Sequence, residues 1–408
     1  LNKESFLNNI DWLDLLKLRL SYGLTGSDDV WKNMDKYPFG GGGGFVFGDD
    51  FIANGGITEG QLPSLNATFE KSSKANIGVD IRILDLIDFN VESYYDHRYD
   101  IMVADGNITS GFFGATASNS PSGIVNNYGV EVGMNVGKQM KDFFFNVNAQ
   151  LAFARNKIVN MNEAFKPYDY LKSTGRRLGQ FYGLEAIGFF KDQADIESSP
   201  VQTYSSDVRP GDIKYKDVNG DGVINDDDIV PLSYSNTPTL QYGFAAEFRY
   251  KQFTASIFFE GVGKVQYFYG GSGYYPFAWE TRGNVLNIVA DQKNRWTPRE
   301  YSGDASTENP NARFPRLTYG ENKNNNRPST FWLADGRYFR LKNIELSYRF
   351  TSAWLRDKIS VQNATLSLVG ENLHVWDKVK LWDPEQASSN GAVYPLQRKF
   401  TLQLNVTF

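Results

Sequence analysis

Residues 400–408 read FTLQLNVTF. Phe400, Leu402, Leu404, Val406 and Phe408 fall on one side of an extended chain, and Thr401, Gln403, Asn405 and Thr407 on the other. Successive side chains of a strand point to opposite faces, so this alternation predicts a strand with one greasy and one polar face. The same period recurs upstream. Leu16, Leu18, Leu20, Tyr22 and Leu24 alternate with Lys17, Arg19, Ser21 and Gly23. Further copies run through Ala75–Ile83, Val130–Val136, Phe145–Leu151 and Tyr242–Phe248, with weaker ones near 88–98, 253–262, 338–350 and 364–372. In the copy at 338–350 the phase slips, from Phe339 and Leu341 to Ile344, Leu346, Tyr348 and Phe350. A β-bulge near Lys342–Asn343 accounts for the slip.

The pattern gives about ten strands. Their connections alternate in length. Short ones lie near 84–87, 138–142, 250–252 and 351–363, and long ones near 25–68, 104–122, 157–238, 268–330 and 373–394. An outer-membrane β-barrel sorts its loops this way, with short periplasmic turns and long extracellular loops. Its apolar face meets lipid and its polar face the lumen. A soluble all-β protein with half-buried strands also alternates, but has no reason to sort its connections. The expected fold is therefore all-β, a transmembrane antiparallel barrel.

Composition agrees. The 408 residues include 23 Tyr, 30 Phe and 38 Gly, residue types suited to pleated surfaces and tight turns. The net charge of −5 argues against nucleic acid as a partner. There is no cysteine, hence no disulfide framework or thiol chemistry. No run of about 18 apolar residues predicts a membrane-spanning helix. Residue 1 is Leu and nothing near it resembles a signal peptide, so a processed chain or a fragment is expected.

One loop carries metal-binding chemistry. DVNGDGVINDDD (217–228) has the spacing of an EF-hand loop, yet Pro, Gly, Tyr and β-branched residues flank it where helices should stand. Asp217, Asn219 and Asp221 would supply side-chain oxygens, Val223 its carbonyl and Asp228 the closing carboxylate. Asn225, Asp226 and Asp227 are spare oxygen donors. Residues 207–236 are thus expected to form an extracellular loop holding a structural Ca²⁺; the other reading is an Asp/Gly-rich turn without metal.

LKLRLSYGLTG (16–26), EKSSKANIGVDIRILD (70–85), GDIKYKDVNGDGVINDDDIVPL (211–232), FRLKNIELSYRF (339–350) and GENL with DPE (370–373, 383–385) together resemble SusC-like TonB-dependent transporters. The resemblance covers essentially the whole chain. It implies a barrel of about 22 strands around an N-terminal plug. It also implies a SusD-like surface lipoprotein as lid, oligosaccharide or peptide substrates, energy from TonB–ExbB–ExbD, and the outer membrane of a Gram-negative bacterium. No TonB box, plug or early strands are recognisable here. The chain then corresponds to the C-terminal part of such a barrel, with plug and N-terminal strands expected in another chain or separated from this one.

The remaining features are weaker. GGGGG (40–44) lacks the Lys-Ser/Thr of a phosphate loop and reads as a flexible extracellular tip. His97 and His374 are the only histidines. His97 sits among Tyr94, Tyr95 and Tyr99 as a membrane-interface residue, and no nucleophile elbow accompanies His374. Tyr269, Tyr274, Tyr275 and Trp279 belong to a loop cluster that stacks on sugar rings, packs on a lid protein or packs on itself. NVLNIVADQKNRWTP (284–298) reads as the one helix. The favoured function is an importer subunit rather than an enzyme. The alternatives are a small outer-membrane barrel enzyme, for which no catalytic cluster is found, and a calcium-binding surface adhesin, which leaves the apolar stripes unexplained.

Overall fold

The computed structural model describes residues 10–28, 36–47, 52–105, 110, 112, 115–277 and 285–408. The alternating segments form ten strands: β1 (Leu13–Ser27), β2 (Glu70–Ile83), β3 (Ile87–Ala104), β4 (Asn119–Met140), β5 (Phe143–Asn160), β6 (Leu240–Tyr250), β7 (Phe253–Gly263), β8 (Tyr338–Phe350), β9 (Asn363–Asp377) and β10 (Lys399–Thr407). They follow one another in chain order through one sheet. Among the described residues, β1 pairs with β2 alone and β10 with β9 alone, so these two strands are the edges of the described sheet. Of the four connections expected to be short, three are tight turns, and the fourth, 351–362, is longer and holds a short helix. Residues 84–86, 141–142 and 251–252 are tight turns, while 28–69, 105–118, 161–239, 264–337 and 378–398 are long. Leu84, Asp85, Lys141 and Lys251 take positive φ, which tightens these turns.

The phase slip in β8 is a real bulge. Phe258 faces Asn343 and Phe259 faces Leu341, leaving Lys342 as the extra residue.

The chain divides into two compact units, Leu1–Gly133 with Ala152–Leu178, and Met134–Leu151 with Gly179–Phe408. In the first, β1 to β3 carry the apolar stripe outward: Leu20 is 70% exposed and Tyr22 71%. The opposite face is a polar mesh. Arg19 holds Asp80 at 2.9 Å and Glu92 at 3.5 Å, Asn76 donates to Glu92, and Arg98 holds Asp96 at 3.1 Å. His97 lies on the apolar face, stacked on Tyr99 at 5.5 Å, with Nδ1 2.7 Å from Asn126.

The five glycines at 40–44 are not a loop tip. They lie in a strand, Phe39–Phe47, paired antiparallel with Ile52–Glu59. A Cβ on Gly42 would stand 2.7 Å from that of Thr58, so glycine serves here to let two strands close up.

In the second unit, the apolar face of β6 to β9 is bounded by two bands of rings. Near the long connections, Phe339 stacks on Phe259 at 5.2 Å and on Trp376 at 5.6 Å. His374 meets Trp376 at 4.4 Å. Near the short turns, Tyr348 packs on Phe253 at 4.6 Å and on Phe350 at 4.7 Å. Between the bands the register aligns Ala246, Ile257, Ile344 and Gly370, then Leu346 and Leu368.

The helix expected over 284–298 is a single turn, Asn287–Ala290. The longest helix among the described residues, Ala353–Ile359, stands between β8 and β9. Ser352 caps it and Ser360, at positive φ, ends it. No described helix is long and apolar enough to cross a membrane.

Candidate functional site

The long connections of the second unit fold on themselves. Leu184, Ile213, Tyr215, Ile224, Phe314 and Trp332 form the centre of a buried cluster drawn from 179–237 and 264–337. Its hinge is Gly211-Asp212-Ile213-Lys214-Tyr215. Gly211 has φ +86°, and a Cβ there would lie 2.1 Å from the Trp296 ring. Only glycine fits both the backbone and the ring. Asp212 follows, fully buried. Its carboxylate accepts from Asn325 Nδ2 (2.8 Å), Asn322 Nδ2 (3.0 Å), the Arg209 backbone N–H (2.9 Å) and Arg316 (3.0 Å). Buried Gln202 donates to the Ile213 carbonyl and accepts from the Tyr215 N–H. Tyr215 donates to the Asn324 carbonyl, and Trp332 to that of Asn325. Burial pushes the Tyr215 phenol far above its ordinary pKa. A buried carboxylate and buried amides paired in this way rigidify their surroundings.

The acidic loop grows from this core. It is entered by the strand Ile213–Tyr215 and contains the strand Val223–Ile224, so extended segments stand where an EF-hand has helices. The loop curls on its own side chains. Asp217 accepts from the N–H groups of Gly220 (2.6 Å) and Gly222 (2.8 Å). Asn219 accepts from Asp221 (3.0 Å) and Asp221 from Val223 (2.8 Å). Gly220 and Gly222 take φ of +79° and +82°. Asp228 is fully buried and accepts from Val218 (2.7 Å) and Asn225 (2.9 Å). It acts as an internal cap. Asp226 is drawn outward instead, to Arg327 at 2.7 Å and Tyr204 at 3.1 Å. Among the described residues, no three His, Asp or Glu side chains gather as a ready metal centre.

The tyrosines expected to meet substrate are packed in the loop core. Tyr274 is 3% exposed and has Tyr269, Trp332 and Trp382 around its ring. Tyr275 packs edge-on against Trp332. Burial raises the Tyr275 phenol to about 12. Both faces of Tyr274 are occupied, so this ring packs on its own chain rather than on a sugar. Trp279 lies outside the described residues.

Two features were not read from the sequence. The first is a cleft of about 1050 Å³ lined by Phe189, Phe190, Arg209, Arg295, Tyr301 and Tyr319, among others. Tyr301 and Tyr319 are strongly exposed. Arg295 donates to the Val289 and Ala290 carbonyls, and burial lowers its pKa. Arg299 grips Glu308 and holds that carboxyl below its ordinary range. The lining mixes aromatic rings with charged side chains. The second is a latch on the polar face of β8. Arg340, 2% exposed, reaches Asp383 at 2.5 Å and Glu385 at 3.5 Å. Lys342 adds Glu260 at 2.7 Å. The DPE and RLKN motifs thus meet in space, although nothing in their spacing announced it.

No family model matches the chain. A TonB-dependent receptor of Formosa agariphila is 28% identical over 442 residues, covering all of this chain and 41% of the relative. SusC of Bacteroides thetaiotaomicron, also a TonB-dependent receptor, is 21% identical over 424 residues, covering all of this chain and 39% of SusC. The chain is a relative of the TonB-dependent receptors. It spans about two fifths of the length of these relatives. Among solved structures, the RagAB peptide importer in its open-open state matches with a TM-score of 0.74 at 18% identity, over 99% of this chain and 41% of that one. The closed-closed state gives 0.72 at 20% identity, over 99% of this chain and 42% of that one. The antiparallel sheet is therefore the barrel fold of these receptors, in part.

Proposed function

We propose that this chain forms the C-terminal part of the barrel of a SusC-like outer-membrane importer. The whole protein takes up oligosaccharides or peptides delivered by a SusD-like lipoprotein lid, and is energised through TonB–ExbB–ExbD. The supporting observation is the outward apolar stripe between two aromatic bands. Phe339 to Tyr348 spans nine residues, one absorbed by the bulge. That is about 27 Å of strand, or about 19–22 Å once tilted by 35–45°, close to the ~25 Å apolar band of outer-membrane barrels. Unpaired strand edges are not tolerated in lipid, so β1 and β10 take partners from the rest of the barrel. Relatives that are receptors rather than enzymes support transport over catalysis.

The test is purification from outer membranes. The protein should need detergent, and should bring down the plug-bearing segment and a surface lipoprotein. Recovery of a monodisperse chain from buffer alone would overturn the reading.

Calcium at the 217–228 loop, in a structural role, is a second proposal. The donor set is all oxygen, which suits calcium. Each carboxylate oxygen keeps a further lone pair beyond the N–H it already accepts. The loop therefore closes without an ion, and calcium would add stiffness by offsetting the charges of Asp217, Asp221 and Asp227. Limited proteolysis with and without chelator tests this.

A further inference from the structure

We propose that the ends of β7, β8 and β9 next to the long connections form a binding surface for the phosphate groups of outer-leaflet glycolipid, lipid A. The proposal rests on the membrane reading above. Its starting point is the aromatic band of Phe259, Phe339 and Trp376. Two residues beyond Phe339 toward the long connections stands Arg337, and two beyond Trp376 stands Lys378. Asp335 draws them together. Its Oδ2 lies 2.6 Å from Arg337 and 3.5 Å from Lys378. Lys264 follows β7, and the carbonyl of its neighbour Val265 accepts from Gly336, which places Lys264 beside Arg337. Lys380 lies 3.6 Å from Asp377.

Burial sorts these charges by sign. The side chains of Arg337, Lys378 and Lys380 are 56%, 69% and 66% exposed, whereas those of Asp335 and Asp377 are 28% and 8% exposed. The carboxylates orient the cations from beneath, and what the surface presents is positive. An aromatic band places its strand ends at headgroup depth. Cations held there attract anionic lipid. A guanidinium fork beside an ammonium suits a phosphate monoester, since the fork bonds two oxygens and the ammonium adds a point charge.

The experiment uses the protein purified from its outer membrane in detergent. Binding of lipid A is compared with that of dephosphorylated lipid A, in three variants. Lys378→Gln leaves the Arg337–Asp335 pair intact. The Arg337→Gln, Lys378→Gln double variant removes both outward charges. Arg249→Gln with Lys251→Gln changes net charge equally at the short-turn ends of β6. One surface cation contributes about a fivefold effect. The expected losses are therefore about fivefold for Lys378→Gln and about thirtyfold for the double variant, with the distal pair unchanged. Millimolar inorganic phosphate should not displace the lipid. Equal affinity for both lipids, or equal loss in the distal pair, overturns the proposal. A protein that stays dispersed without detergent overturns the membrane reading itself.

Discussion

Arg316 and Asp212 form an ion pair of 2.8 Å inside the loop core, with the carboxylate fully buried. Truncating Asp212 would leave the guanidinium and three further N–H donors, from Asn322, Asn325 and Arg209, without an acceptor. Breaking a buried pair from one side costs about 3–5 kcal/mol. Asp212→Ala should therefore loosen the fold of 179–237 and 264–337 while the strands persist. Denaturant titration followed by tryptophan fluorescence checks this; an unchanged midpoint would count against the network as the core's main tie.

The two faces of β8 should tolerate charge unequally. Ile344 lies on the apolar face between the aromatic bands, and Ser347 on the polar face, bonded to Ser367 at 2.8 Å. An arginine facing lipid at the midplane costs about 2–4 kcal/mol, and far less when it faces the lumen. Ile344→Arg should impair folding into bilayers where Ser347→Arg does not. Equal tolerance in a refolding assay would sink the membrane assignment.

Much of the sheet was legible because a strand writes its orientation locally. Leu16 to Leu24 and Phe400 to Phe408 show both faces within nine residues, and the slip at Lys342 shows as a change of parity. The loop core wrote nothing local. Gln202 meets Asn324, and Asp212 meets Asn325, across more than a hundred residues. No period links such pairs. The run at 40–44 misled for a related reason: glycine permits both mobile turns and close strand approach, and only Thr58, far along the chain, decides between them. The acidic loop was legible as a curl of the backbone. Its spacing did not disclose that Asp228 would be buried as a cap.

Acid should loosen the surface of the loop core at a defined place. Lys214 holds Asp195 at 2.8 Å, and this hydrogen bond keeps the Asp195 carboxyl below its ordinary pKa. A carboxylate with depressed folded-state pKa stabilises above its unfolded value of about 3.9, and that stability is lost as pH falls through the folded value. The hydrogen-exchange protection of the helix Gln193–Glu197, relative to the intrinsic rate at each pH, should thus fall below about pH 4. Asp195→Asn should flatten the profile. A profile identical in both proteins would show that the Lys214 contact contributes nothing.

Asp221 and Asp228 should separate calcium from capping. Asp221 is exposed and its carboxylate accepts from Val223 and from the Asn219 amide. If an ion binds here, Asp221 is among its ligands, and like charges at Asp217, Asp221 and Asp227 repel once it leaves. Asp221→Ala and chelation should then raise protease cleavage within 210–235 alike, and together do no more than either alone. Asp228 is fully buried, with both oxygens accepting backbone N–H groups. Losing such a cap costs about 1–2 kcal/mol whether or not metal is present. Asp228→Ala should therefore open the loop equally in calcium and in chelator. Cleavage of the unaltered protein that is identical in the two conditions would leave capping as the loop's only stabiliser and remove calcium from the account.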